Sequence, residues 1–166
     1  LTHITQEISC SSAVFLLPIP RIATKGFDLL SLDACTVNAM DWLSASEFYR
    51  LRFEFNHALF PEEIGGDMLL PETGYTGATS FSKGCYVGQE VVAKIESLGR
   101  PPRLLRRIEA EKSLSLLSGQ KLTNLEGRQS GEIRSWLNND RIGFALIKNN
   151  DSLQECFAEG ARLRIL

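Results

Sequence analysis

The chain changes character across Gly99-Arg100-Pro101-Pro102-Arg103, and this short stretch decides the fold that the sequence predicts. Glycine is a common end to a helix, and two adjacent prolines make a stiff, extended connection. Before the stretch, apolar residues recur at helical spacing. After it, short apolar segments alternate with turn residues. We therefore predict that two structural units meet at residues 100–103.

Two helices are predicted before this boundary. One covers residues 88–98, where Val91, Ile95 and Leu98 share a helical face. The other covers residues 45–58 and begins with a capping box, in which a serine hydroxyl and a glutamate carboxylate satisfy backbone N–H groups at the start of a helix. Both helices belong to the first predicted unit.

Strands are predicted on both sides of the boundary. Two precede the helices, and five follow the linker, separated by turns that contain glycine or asparagine. Several short strands at such spacing are typical of a small barrel or sandwich. The predicted fold class is α+β, with a partial α/β region followed by a small antiparallel β-barrel. The predicted strands are residues 13–17, 26–32, 105–109, 121–125, 131–137, 142–147 and 162–166.

Composition excludes several classes of protein. The 166 residues carry a formal net charge of -2, so the basic excess typical of nucleic-acid binding is missing. No apolar run approaches the ~18 residues of a membrane span, and no signal peptide is visible. We therefore expect the chain neither to span a membrane nor to bind nucleic acid directly.

The four cysteines are widely separated and form no C-x-x-C pair, and no histidine stands at metal-ligand spacing from them. This pattern favours free thiols in a reducing, cytosol-like compartment over disulfides, and it predicts no metal site. The cysteines are Cys10, Cys35, Cys85 and Cys156.

One segment concentrates the chemistry of the chain: Lys83-Gly84-Cys85-Tyr86-Val87-Gly88-Gln89-Glu90. Its two glycines, Gly84 and Gly88, permit a tight turn or the close approach of a ligand. Cys85 lies just before a predicted helix, whose N–H groups and dipole favour a thiolate, and Lys83 adds positive charge. These features predict a reactive thiol. A buried structural cysteine at the entry to a helix is the alternative.

Three neighbours of this thiol have expected places. Tyr86 is expected to form a wall beside the sulfur or to donate a hydrogen bond. Gln89 and Glu90 fall in the first turn of the predicted helix, where a carboxylate suits the helix dipole. Together with Lys83, Gly84, Cys85 and Gly88, they form the predicted functional motif.

The motif K-G-C-Y-V-G-Q-E resembles the signature of the YgfZ-type folate-binding proteins, which are relatives of the glycine-cleavage T protein. Looser agreement is found at Gly26-Phe27-Asp28-Leu29, Arg52-Phe53-Glu54 and Leu70-Pro71-Glu72. Residues 104–166 resemble the family's C-terminal barrel in length and strand pattern. The resemblance implies that residues 1–103 are the C-terminal part of a folate-binding α/β region.

The resemblance also implies a function. It implies tetrahydrofolate as the cofactor, with Glu54 and Glu72 as candidates for binding it, and Cys85 as the working thiol. The implied role is that of an accessory factor for the assembly or repair of iron–sulfur clusters in a subset of enzymes, including tRNA-modifying ones. Its partners would be iron–sulfur proteins or cluster-assembly factors in the cytoplasm, or in a mitochondrion or plastid of a eukaryote.

Members of that family are about twice as long as this chain, and the additional part is an N-terminal half. Leu1 is also not an initiator methionine. We expect the chain to be a C-terminal portion that forms its folate pocket with a missing N-terminal half. Two other hypotheses stay open. One is a folate-dependent aminomethyltransferase of the T protein type, although those enzymes lack the cysteine signature. The other is a folded fragment without function.

Overall fold

The computed structural model describes residues 8–9, 14–17, 28–34, 36–37, 43–80, 82–150 and 154–166. The chain divides into two compact units, residues 1–57 and residues 58–166. The boundary between two structural units that the sequence predicts at residues 100–103 stays a prediction. Each unit is described by itself.

The described strands of the first unit form two antiparallel pairs. Strand β1 (Ile8–Ser9) pairs with β4 (Thr36–Val37), and β2 (Val14–Leu17) pairs with β3 (Asp28–Ser31). The β2–β3 pair confirms the centres of the two strands predicted there. Residues 13, 26 and 27 of those predictions lie outside the described residues.

Helix α1 (Ala45–Glu54) begins at the predicted capping box. The Glu47 backbone N–H donates to the Ser44 hydroxyl at 3.2 Å, and the Ser44 N–H donates to the Glu47 carboxylate at 2.8 Å. The Ser44 hydroxyl also donates to the Glu47 carboxylate at 2.7 Å, and this bond, together with the one from the Ser44 N–H, holds the pKa of Glu47 below its ordinary value. The helix ends four residues before the predicted end at residue 58, because Asn56 adopts a left-handed backbone conformation with φ of 53°.

The second unit begins with a long segment that contains two short 3₁₀ helices, Leu70–Thr73 and Thr76–Ala78. Helix α2 (Gln89–Ser97) follows, within one residue of its predicted bounds. It is framed by Gly88 and Gly99, which both have a positive φ. Glycine suits these positions because other residues adopt a left-handed backbone only with strain.

Six antiparallel strands then close into a barrel, in the order β10-β5-β8-β7-β6-β9. All five predicted strands of this region are present, although β6 ends at Thr123, two residues before the predicted end at residue 125. The additional strand, β9, forms a hairpin with β10 through Glu159 and Gly160, which both have a positive φ and so match a type I′ turn. The strands are β5 (Arg103–Ala110), β6 (Lys121–Thr123), β7 (Gln129–Leu137), β8 (Ile142–Lys148), β9 (Glu155–Ala158) and β10 (Ala161–Ile165).

The barrel interior forms the hydrophobic core of the second unit. Side chains from all six strands meet there, and Leu122, Ile133 and Leu163 are fully buried. Gly131 allows β7 and β8 to approach closely, since a Cβ at this position would lie 2.6 Å from the Leu146 carbonyl oxygen. The barrel is therefore a packed core that presents its charged side chains on the outside.

Candidate functional site

The predicted motif forms the connection into α2. Residues 84–86 have no regular secondary structure, and a turn at residues 87–88 leads into the helix. The Gln89 side-chain oxygen accepts from the Tyr86 backbone N–H at 3.3 Å, while the Gln89 N–H donates to the Tyr86 carbonyl oxygen at 3.2 Å. This reciprocal pair fixes the turn, so Gln89 has a structural role at the helix start.

Cys85 is a free and exposed thiol, three residues before the N-cap glycine of α2. The alternative of a buried structural cysteine is therefore wrong for Cys85. Of the two cysteines that the structure describes, Cys156 is the buried one, and its side chain lies inside the barrel. Burial raises the pKa of the Cys156 thiol to about 12, so this thiol stays protonated. An exposed thiol can meet a partner molecule in solution, whereas the Cys156 thiol cannot.

Lys83 and Tyr86 lie against each other beside Cys85. The Lys83 Nζ atom sits 4.5 Å from the centre of the Tyr86 ring, a cation–π contact. The Tyr86 hydroxyl is buried and has no hydrogen-bond partner among the described residues. Tyr86 therefore packs against the Lys83 ammonium, and its expected place beside the Cys85 sulfur stays a prediction.

A groove of about 750 Å³ runs along α2 and contains Glu90 of the motif. Its surface is mainly aliphatic, and the charged groups that line it are Glu90, Lys94 and Arg100. Cys85 itself is not among the lining residues. The volume falls within the range of small-molecule pockets. The other lining residues are Leu69, Val91, Ile95, Leu98, Pro101, Pro102 and Asn149.

Glu72, one of the two folate candidates, is held by protein groups on both carboxylate oxygens. Arg103 donates from Nε to Oε1 at 2.8 Å and from an Nη atom to Oε2 at 2.9 Å. The Leu69 N–H donates to Oε2 as well, at 2.9 Å. With only 1% of its surface exposed, Glu72 ties the first 3₁₀ helix to strand β5. Its evident role is structural.

Glu54, the second candidate, lies in the other compact unit. It is exposed near the end of α1, and its Oε1 atom is 3.5 Å from Nε of Arg50, one helical turn earlier. An exposed pair of this kind contributes little to stability. The structure thus describes the two folate candidates in different units and in very different environments.

A second ion pair ties the segment before α2 to the barrel. Arg134 of β7 donates to the Asp67 carboxylate and also lies 3.3 Å from Glu132. The hydrogen bond from Arg134 holds the pKa of Asp67 below its ordinary value of 3.8. Sequence reasoning missed Arg103 and Arg134, because their partners lie 31 and 67 residues away along the chain.

In the described part of the chain, no group of three or more His, Cys, Asp or Glu residues is placed to hold a metal ion. Nor does any helix in the described ranges have the length and apolar character needed to cross a membrane.

Comparison with known proteins shows a similarity of fold. No protein-family model and no curated protein sequence matches the chain. Among solved structures, the chain is similar to the glycine cleavage system aminomethyltransferase T from Bartonella henselae, with a TM-score of 0.61 and 17% sequence identity. The match covers 75% of this chain and 38% of that one, so the chain corresponds to well under half of the enzyme's length. The mixed α/β architecture with a closed six-stranded barrel is thus of the T protein type.

Proposed function

We propose that the chain is the C-terminal portion of a tetrahydrofolate-binding accessory factor that supports iron–sulfur enzymes, with Cys85 as its functional thiol. The observation that carries the proposal is the exposed Cys85 thiol in the K-G-C-Y-V-G-Q-E motif. The fold of the T protein type agrees with the motif resemblance. Iron–sulfur proteins or cluster-assembly factors are the proposed partners, including enzymes that modify tRNA.

A single thiol limits the chemistry that Cys85 can perform. Iron–sulfur clusters usually take about four thiolate ligands. Cys85 alone cannot hold a stable cluster, and the described residues offer no other group of metal ligands near it. We therefore propose a transient role, in which the Cys85 sulfur contacts a group presented by a partner protein.

We infer that the described residues do not form a complete folate site by themselves. Glu72 does not fit a folate-binding role, because a pterin ring could bind its carboxylate only by displacing Arg103 or the Leu69 N–H. Glu54 is an exposed side chain of the other unit. We propose that folate binding belongs to the full-length protein and needs the N-terminal half that this chain lacks.

The second candidate is a folate-dependent aminomethyltransferase, and the structural likeness to aminomethyltransferase T is the observation that favours it. A direct assay separates the two functions. The full-length protein would be incubated with tetrahydrofolate and an aminomethyl donor of the glycine cleavage system, and methylene transfer would be measured. Turnover comparable to that of a T protein would favour the enzyme. We expect no transfer above background.

The proposed function is tested in cells that lack the native factor. Expression of the full-length protein is expected to restore the activity of the iron–sulfur enzymes that fail in those cells. The control is an iron-independent enzyme, whose activity should not change. Well-folded protein at normal abundance that restores none of these activities would contradict the proposal.

A further inference from the structure

The barrel carries a second site, remote in sequence from the motif. A hollow of about 300 Å³ opens where β5 ends, beside the start of β10 and the turn between β7 and β8. We name it the barrel-end hollow. Three arginines and two glutamates make up nearly all of its lining, which consists of Glu109, Ala110, Glu111, Arg141, Arg162 and Arg164.

Arg141 occupies this hollow in an unusual backbone conformation. Its φ is 57°, in the left-handed region that residues other than glycine, asparagine and aspartate rarely adopt. Two backbone bonds hold it there, since its N–H donates to the Leu137 carbonyl oxygen and its own carbonyl oxygen accepts from the Ala110 N–H, both at 2.9 Å. Residues held in such conformations cluster at functional sites.

The three guanidinium groups retain unused hydrogen-bond donors. Arg141 donates from one Nη atom to the Glu111 carbonyl oxygen at 2.8 Å, and within the described residues it contacts no carboxylate. Arg162 pairs with Glu155 through Nε, and Arg164 pairs with Glu109 through one Nη atom. Each guanidinium carries five N–H donors, so most of them remain available.

The guanidinium N–H donors of the barrel-end hollow suit an anion. The three arginines are balanced by the carboxylates of Glu109 and Glu111 in the lining and of Glu155 beside it, so the attraction comes from the donors that these carboxylates leave unused. Several guanidinium groups around one concavity suit a phosphate, whose oxygens accept paired N–H bonds from the planar guanidinium. The carboxylates of Glu109 and Glu111 oppose such a ligand, and of the two Glu109 is already paired with Arg164.

A neighbouring hollow gives room for a larger ligand. It measures about 410 Å³ and shares Glu111 and Arg162 with the barrel-end hollow. Its other lining residues are Lys112, Leu114, Glu159, Gly160 and Ala161. We propose that the barrel-end hollow binds the phosphate group of a phosphate ester, whose organic part lies in the neighbouring hollow. This site is independent of the function proposed for Cys85.

Titration of the whole chain with AMP and with inorganic phosphate tests the proposal. Binding would be followed by backbone amide NMR shifts at low ionic strength, because salt screens exposed charges. The test variant is Arg141→Asn, since asparagine tolerates a left-handed backbone and the turn should stay folded. The matched control is Arg128→Asn, which removes an exposed arginine of the β6–β7 turn and changes the net charge equally.

We expect saturable shifts at the residues around the barrel-end hollow, and tighter binding of AMP than of inorganic phosphate. Arg141→Asn should weaken AMP binding about tenfold or more, because charge-assisted bonds are lost. Arg128→Asn should leave affinity unchanged, and Glu111→Gln should strengthen it. Equal affinity for the two probes would assign the site to free phosphate and overturn the ester part of the proposal.

Two results would overturn the site itself. One is the absence of saturation by either probe. The other is a pattern in which Arg141→Asn and Arg128→Asn weaken binding equally, which would mean diffuse attraction to surface arginines.

Discussion

The Glu72–Arg103 pair is expected to be a main support of the segment that leads to α2, and removing one partner should reveal this. Arg103→Met removes two bonds to the Glu72 carboxylate and a third to the Asp67 carbonyl oxygen at 3.0 Å. It leaves the Glu72 carboxylate, which is 1% exposed in the native chain, with the Leu69 N–H as its remaining donor. Breaking a fully buried ion pair costs about 3–5 kcal/mol.

The Arg103 side chain is 38% exposed, so in the variant water can partly replace the hydrogen bonds that Arg103 donates to Glu72. We therefore expect the free energy of unfolding to fall by about 2–3 kcal/mol. Glu72→Gln should lower the free energy of unfolding by about 2 kcal/mol, because the amide nitrogen of the glutamine would face an N–H donor in either orientation. The double variant should lose less than the sum of the two.

Urea denaturation in a Trp42→Phe background would measure these changes, since Trp136 of β7 then reports on the barrel unit. The control is Arg128→Met, which breaks an exposed pair with Glu126 and should cost less than about 0.5 kcal/mol. If Arg103→Met is no more costly than this control, the bonds seen at Glu72 do not stabilise the unit, and the reasoning fails.

Three further predictions concern other groups. Because the pKa of Cys156 is raised in the folded chain, the thiol ionises from about pH 9 only when the chain is unfolded. The free energy of unfolding should therefore fall between about pH 9 and 12. Urea denaturation measures this fall relative to Cys156→Ala. If the two proteins show the same slope with pH, Cys156 is not buried as described. Because the pKa of Asp67 is lowered, its bond to Arg134 stabilises the unit above about pH 4 and is lost on acidification. The loss in the free energy of unfolding should be less than about 1 kcal/mol, because Asp67 is half-exposed. Asp67→Asn should therefore show a flatter loss of stability between pH 5 and 3. Calorimetric titration of this chain alone with a tetrahydrofolate analogue should show weak or no binding, and sub-micromolar affinity would refute the view that its folate site is incomplete.

The sequence predicted those helices and strands that depend on residues close together along the chain. The capping box at Ser44 fixed the start of α1, and Gly99 marked the end of α2. The barrel strands followed from short apolar segments between turns. Strand β9 escaped prediction because Glu155–Ala158 is only four residues long and is recognisable chiefly through its hairpin partner. The end of α1 was set too late because the backbone of Asn56 ends the helix.

The candidate site was predictable only in part. The motif could be recognised as a continuous stretch, and its exposed cysteine lies in the predicted connection to a helix. The role of Glu72 was not predictable, since it depends on an arginine 31 residues away. The contact of Lys83 with Tyr86 was likewise invisible in the sequence, because spacing does not reveal which face of a ring an ammonium approaches.

The most direct test of the account replaces Cys85 by serine in the full-length protein and measures iron–sulfur enzyme activity in cells that lack the native factor. The substitution is nearly isosteric at an exposed position, so folding and abundance should be unchanged. Cys156→Ser serves as the thiol control, with its abundance measured because the position is buried. We predict that Cys85→Ser fails to restore enzyme activity, while Cys156→Ser restores it in proportion to the folded protein present. Full activity with Cys85→Ser would contradict the claim that this thiol is functional.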